Sequence, residues 1–213
     1  MEEKRKEQLC MKEYILKFHL EMYAVFVFIV TLLGFLGVYH LSDNRKMLLL
    51  IIVIGVFHEY EEKRFPGGFF ENLGKIWGWN METVDFRKPG QWVVYAWLVI
   101  AYIPYVFDDV LGLVLAPMFL GIFEMVIHTA GKKICNIRGW YVPGIVTGWI
   151  MGIASVYNIY MLSTTYTITF TDCVIGILCV VFIMGLLQVL VQKSANYSVP
   201  QMIAHMRSQL LKK

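Results

Sequence analysis

Charge is scarce in this chain. Asp, Glu, Lys and Arg make up 16% of its 213 residues, where an ordinary soluble domain carries about 25%. The shortfall excludes a water-soluble globule, and the long apolar stretches exclude a disordered chain. Cysteine is sparse as well. Four Cys and no CxxC pair exclude a disulfide-stapled secreted scaffold. The chain has no Gly-rich phosphate loop, no Ser, His and Asp at triad-like spacing, no basic patch suited to nucleic acid, and no internal repeat or low-complexity segment.

What is present is apolar: 58% of residues are hydrophobic and 15% aromatic. A membrane-crossing helix needs about 20 mostly apolar residues. Such stretches cover 20–41, 47–65, 91–107, 110–130, 142–162 and 173–191. The first is too long and lies too far from the N-terminus for a signal peptide. The expected fold class is therefore all-α, a polytopic transmembrane bundle of about six helices with membrane lipids as its surroundings. Residues 1–19 precede it, either as a short interfacial helix or as a solvated extension of the first span. Residues 20–192 form the bundle and 193–213 a basic tail.

Lys and Arg concentrate on the cytoplasmic side of membrane proteins. Of the 19 here, only Arg45 and Lys46 fall in the expected outer loops, which places both termini in the cytoplasm. Cys10 and Cys135 then fall on the reducing side, Cys179 within a span and Cys173 near the outer edge.

The second span carries the main signal. Its apolar run, 47–57, is 11 residues, about 16 Å of helix, which cannot cross a hydrocarbon core of about 30 Å. HEYEEKRF follows, then Pro66-Gly67-Gly68 as a helix stop. The helix spans only if His58, Glu59, Glu61 and Glu62 lie below the membrane surface, in its cytoplasmic half. Residues three and four apart share a helix face, so His58, Glu61 and Glu62 form one stripe while Glu59 points aside as the expendable member. Imidazole and carboxylate on one stripe suit a divalent cation: zinc, iron or manganese. A cation also relieves the repulsion of two adjacent carboxylates in low dielectric.

His58-Glu59-Tyr60-Glu61-Glu62 resembles the motif of the HXXEE-domain membrane proteins, a mainly bacterial family, with a likeness extending over about 20–191. The resemblance implies importance for His58, Glu61 and Glu62 and implies no particular reaction.

The fourth span contains Glu124 and His128 at i, i+4, again on one face. Counted from the start of each span, Glu124 lies about 21 Å deep, level with Glu61 and Glu62. The second and fourth spans run in the same direction, so the two sets are expected to meet. Ionisable residues inside a membrane face a partner or a cavity, and bundle carboxylate sites use a similar inventory. The Glu-x-x-His order of di-iron sites is absent, so one zinc or two metals fit equally well.

The expected function is a metal-dependent membrane enzyme, a hydrolase or oxidoreductase, acting on an apolar or lipid-like small molecule. His58, Glu61, Glu62, Glu124 and His128 are the candidate metal ligands, with Glu61 or Glu62 doubling as general base. Two other classes fit the same residues: cation or proton-coupled transport, and a structural or regulatory subunit with a polar core. The remaining polar residues read more plainly. Segment 66–90, rich in aromatics, lies at the interface or covers the site with Gly67 and Gly68 as pivots, and Glu71 is an additional ligand candidate. Asp108 and Asp109 read as helix N-caps. Asn158 falls in the outer half, away from the Glu/His set, and Gln188 and Gln192 snorkel at the inner end. His19 and His40 read as interfacial, and Pro104 and Pro117 as kinks.

Overall fold

Runs of about twenty apolar residues, broken by Gly, Pro and short polar turns, close their backbone hydrogen bonds locally as helices. The computed structural model describes residues 2–134 and 140–211. Cys135, Arg138, Lys212 and Lys213 lie outside the described residues, as do the side chains of Lys4, Arg5, Lys6 and Lys133. The described residues form eight helices and no strand: α1 Glu2–Phe35, α2 Asp43–Lys63, α3 Phe69–Trp77, α4 Arg87–Val106, α5 Leu111–Ile134, α6 Ile145–Thr165, α7 Phe170–Ser194 and α8 Val199–Leu210.

Four segments are long and apolar enough to cross a membrane: Cys10–Phe35 within α1, Leu111–Lys132 within α5, Ile145–Thr165 and Phe170–Ser194. Helices α2 and α4 have 21 and 20 residues and fall short in composition. Four charged residues close α2, and Trp, Tyr and Pro dilute α4. The physical reason lies in their placement. Leu48, Ile51, Ile52, His58 and Glu59 of α2 are essentially inaccessible, because α2 is walled by α1, α4, α5 and α6. The reverse holds for α7, whose Leu178, Val181 and Phe182 are exposed.

The N-terminal segment is a continuous extension of α1 rather than a separate surface helix. The C-terminal tail folds into α8, opened by a capping box of Ser198 and Gln201, and packs back on α3 and α7. Gln188 and Gln192 do not snorkel. Both donate to Met202 Sδ of α8, at 3.1 and 3.0 Å, and Gln192 accepts from Trp79 Nε1 at 2.7 Å.

Asp108 does not cap a helix either. It accepts from Ser42 Oγ, pairs with Arg45 Nη2 at 3.0 Å, and its carbonyl accepts from Asn44 Nδ2 at 2.7 Å. These contacts pin the α4–α5 turn to the start of α2. Asn158 is buried and donates to the Met47 carbonyl at 3.1 Å. His40 is exposed as expected, but His19 is buried.

Close packing of α5 on α6 depends on small residues. Gly144, Gly148 and Gly152 recur every fourth position. A Cβ on Gly152 would stand 2.6 Å from Met125 Cβ, and one on Gly121 would stand 2.3 Å from Ser155 Oγ. Side chains at these positions would force the helices apart, and with them Glu124 and His128.

Candidate metal centre

The last two turns of α2 bury His58, Glu59, Glu61 and Glu62. The structure divides the expected stripe. His58 and Glu62, one turn apart, face α5, where Glu124 and His128 are also one turn apart. His58 Nε2 lies 3.5 Å from Glu62 Oε1 and 3.7 Å from Glu124 Oε2. His128 Nε2 lies 3.1 Å from Glu62 Oε1 and 3.4 Å from Glu124 Oε2. The two imidazoles meet edge to face, with centroids 5.0 Å apart. One ligand atom each from His58, Glu124 and His128 falls within 4.8 Å of the other two, so this group can hold a metal ion. His128 Nε2 is buried beside these two carboxylates without a well-aligned hydrogen bond among the described residues.

Glu61 does not join them. Its carboxylate turns to the start of α6, where it accepts from Val146 N at 3.2 Å, Thr147 N at 2.8 Å and the Thr147 hydroxyl. A helix N-terminus offers unpaired N–H groups and a partial positive charge, so a carboxylate is well placed there. This contact reaches back to the centre. A carboxylate so bonded only accepts, so the Thr147 proton points at Glu61. Thr147 Oγ1 must then accept from His58 Nδ1, 2.9 Å away. His58 is thereby held with its proton on Nδ1 and its lone pair on Nε2, facing Glu62 and Glu124. Glu61 is a positioning residue two hydrogen bonds from the imidazole whose Nε2 it orients. The Tyr141 hydroxyl is buried beside it, and burial together with the Glu61 charge pushes it above a tyrosine's ordinary range.

Glu59 points aside, as its spacing requires, but it is not idle. It pairs with Lys63, accepts from Trp97 Nε1 at 3.0 Å, and is essentially inaccessible. Glu71 is exposed and does not reach the group.

The four clustered side chains form the floor of a cavity of about 350 Å³. Its walls are apolar, with Trp97, Ile100, Leu120 and Met184 among them. Helix α3 covers it with Phe69 and Ile76. The Phe69 ring lies 5.5 Å from the His128 ring, so the α3 part of segment 66–90 lines the cavity. Left-handed glycines bound α3 at both ends, Gly68 at φ +94° and Gly78 at φ +81°, where a side chain would be strained.

Thr147 and Gly144 escaped the sequence reading. A Thr in the first turn of a helix is ordinary, and nothing local marks Gly144. A Cβ on Gly144, at φ +87°, would stand 2.4 Å from His128 Cε1 and 3.0 Å from Glu62 Oε1. Gly144→Ala should therefore destabilise the protein by about 1–3 kcal/mol and displace His128. Gly68→Ala is a matched control, since its φ is +94° but its nearest neighbour, Pro143 Cγ, is 4.0 Å away. Thermal unfolding of both variants checks this: equal losses would mean that backbone strain alone matters and that His128 has room to move. No family model, curated protein or solved structure matches this chain, and the assignment of chemistry rests on the site itself.

Proposed function

We propose that this chain is an integral membrane protein of six spans with both termini cytoplasmic, and a metal-dependent enzyme, hydrolase or oxidoreductase, acting on an apolar or lipid-like substrate. The observation that carries the reading is the convergence of His58 Nε2, His128 and Glu124 within 4.8 Å on the floor of an otherwise apolar cavity. The placement of Lys and Arg supports the orientation, and the resemblance to HXXEE-domain proteins belongs to the same proposal. Helices α2 and α4 serve as the two inner spans.

Neutral imidazole nitrogens with carboxylate oxygens suit zinc, iron or manganese. Such a cation would supply Lewis acidity when bound. The chain supplies the rest. His58, His128 and Glu124 hold the ion, and Glu62, beside both imidazoles, is placed to take or return a proton. Glu61, committed to three donors, orients His58. The apolar walls exclude water and accept a hydrocarbon body. Toward the start of α2 and α5 the interior is mostly apolar, with Leu48, Ile51, Ile52, Leu115 and Met118 fully buried and only Asn44 and Asn158 as buried polar groups near the start of α2. That plug favours an enzyme over a cation pathway, which needs polar groups along its whole length.

The test is metal content. Protein purified in uncharged detergent, stripped with chelator and titrated separately with zinc, iron(II) and manganese should take up one of them stoichiometrically. His58→Ala, Glu124→Ala and His128→Ala should each abolish uptake while retaining wild-type helix content. A folded wild-type protein that takes up none of the three overturns the proposal.

A further inference from the structure

Helices α5 and α7 wall the cavity on one flank, and both contain segments long and apolar enough to cross a membrane. Their seam is tight near the start of the two helices. A Cβ on Gly176 would stand 2.9 Å from Phe119 Cε2 and 3.1 Å from the Gly112 carbonyl oxygen, and one on Gly112 would stand 2.8 Å from Ile175. Glycines let the two backbones approach closely there. Phe123, Ile127 and Gly131 follow Phe119 at every fourth position and continue its row along α5.

Past Phe119 the row changes character. Phe123, Ile127 and Gly131 line the cavity, as do Ile183, Met184 and Leu187 of α7. Phe123 and Ile127 are also exposed, at 40% and 42%, while every other residue lining the cavity is buried or half-buried. A Cβ on Gly131 would meet nothing within 4 Å. A residue that both lines a cavity and is exposed marks its mouth. The cavity therefore opens between this row and α7, and not through α3, whose Phe69 and Ile76 cover it.

The mouth lies within two apolar spans. From Leu111 to Gly131, α5 carries no Asp, Glu, Lys or Arg except Glu124, and α7 carries none from Cys173 to Gln192. Glu124 belongs to the clustered group and is its most accessible member, with a side chain 15% exposed against 4% or less for His58, Glu62 and His128. What stands outside such a mouth is hydrocarbon, not water. An apolar passage from the bilayer to a polar floor admits a lipid chain. It turns away a hydrated solute, which would have to shed its water at the rim.

We propose that the cavity is loaded sideways from the bilayer: the substrate is a membrane lipid whose hydrocarbon chain passes between α5 and α7 at Phe123, Ile127 and Gly131 and reaches Glu124. The proposal deepens the proposed function and rests on it for the word substrate; passage of the chain needs no metal.

The experiment is photolabelling of the full chain in phosphatidylcholine vesicles doped with a phosphatidylcholine that carries a diazirine in one acyl chain. Illumination turns the diazirine into a carbene that inserts into whatever the chain touches, and mass spectrometry maps the labelled residues. Phe182, exposed on the outer flank of α7, is the internal standard for ordinary bilayer contact. Wild-type protein should also carry label on Ile100 and Leu120, which line the cavity and are otherwise buried. Gly131→Trp and Ile127→Trp, which put an indole in the mouth, should each lose the label on Ile100 and Leu120 and keep that on Phe182. Either variant alone suffices if the other does not fold.

Label on Phe182 without label on Ile100 or Leu120 in the wild-type protein overturns the proposal. So does inner label that survives both substitutions, because the chain then arrives by another route. His128→Ala should take up no metal and keep the inner label. Inner label in a wild-type protein that takes up no metal leaves the lipid passage standing and defeats only the metal reading. Metal uptake without inner label does the reverse.

Discussion

Replacing Lys63 by methionine should destabilise the protein by about 3–5 kcal/mol, the usual consequence of removing one partner from a buried ion pair. The Lys63 side chain is 7% exposed and that of Glu59 is 1% exposed, so water cannot take over the abandoned charge. Trp97 Nε1 supplies a single hydrogen bond to Glu59 at 3.0 Å, which does not neutralise a carboxylate in low dielectric. Glu59→Gln should cost a similar amount, about 3–5 kcal/mol, since the Lys63 ammonium is left with the Gly90 carbonyl and an amide oxygen in place of a carboxylate. The double variant should recover much of the loss seen in Lys63→Met, because no uncompensated charge remains. Unfolding of the four proteins in mixed micelles gives the coupling energy directly. A loss below about 1 kcal/mol for Lys63→Met would place the pair with surface ion pairs and contradict its burial.

The second large effect concerns the proton on His58. Thr147→Val is nearly isosteric and removes only the hydroxyl that relays Glu61 to the imidazole. Loss of such an outer partner lowers metal affinity by about 10- to 100-fold. Glu61→Gln should act in the same direction by a different route. An amide NH₂ can donate to Thr147 Oγ1 and turn the hydroxyl proton toward His58 Nδ1. The imidazole proton then moves to Nε2 and blocks the nitrogen that faces Glu62 and Glu124. Metal titrations should show both variants weakened, and nitrogen chemical shifts of His58 should report the changed tautomer. Glu61→Asp, which keeps an acceptor-only carboxylate, should fall between Glu61→Gln and wild type. If Glu61→Gln binds metal as wild type does, the relay has no role in holding His58.

The site also explains why a chain so poor in charge keeps several charged groups on adjacent turns of one helix. Each carboxylate at the end of α2 has a separate task set by the neighbour it meets. Glu59 meets α4 and the Lys63 ammonium, Glu61 meets the open N–H groups of α6, and Glu62 meets His128 of α5. All are buried. Without those partners the same turns would have to take up protons or leave the bundle.

Much of this was legible in the chain before folding. Apolar length dictates helices, because only local hydrogen bonding satisfies a backbone deprived of water. The four-residue spacing of His58 with Glu62 and of Glu124 with His128 places each pair on one face of its helix, and counting rise per residue brings Glu124 level with Glu61 and Glu62. Tertiary structure alone decided how neighbouring positions on that face are shared. Glu61 and Glu62 differ by about 100° around the helix axis, and both lie within the stripe that spacing defines. Which of them faces a histidine and which a helix terminus depends on where α6 begins, a fact held by Gly144 and the α5–α6 glycine contacts far along the chain. Depth in the bundle is likewise a property of neighbours. His19 and Gln192 have the sequence context of surface groups, and only the arrival of α4 over one and of Trp79 and α8 over the other encloses them.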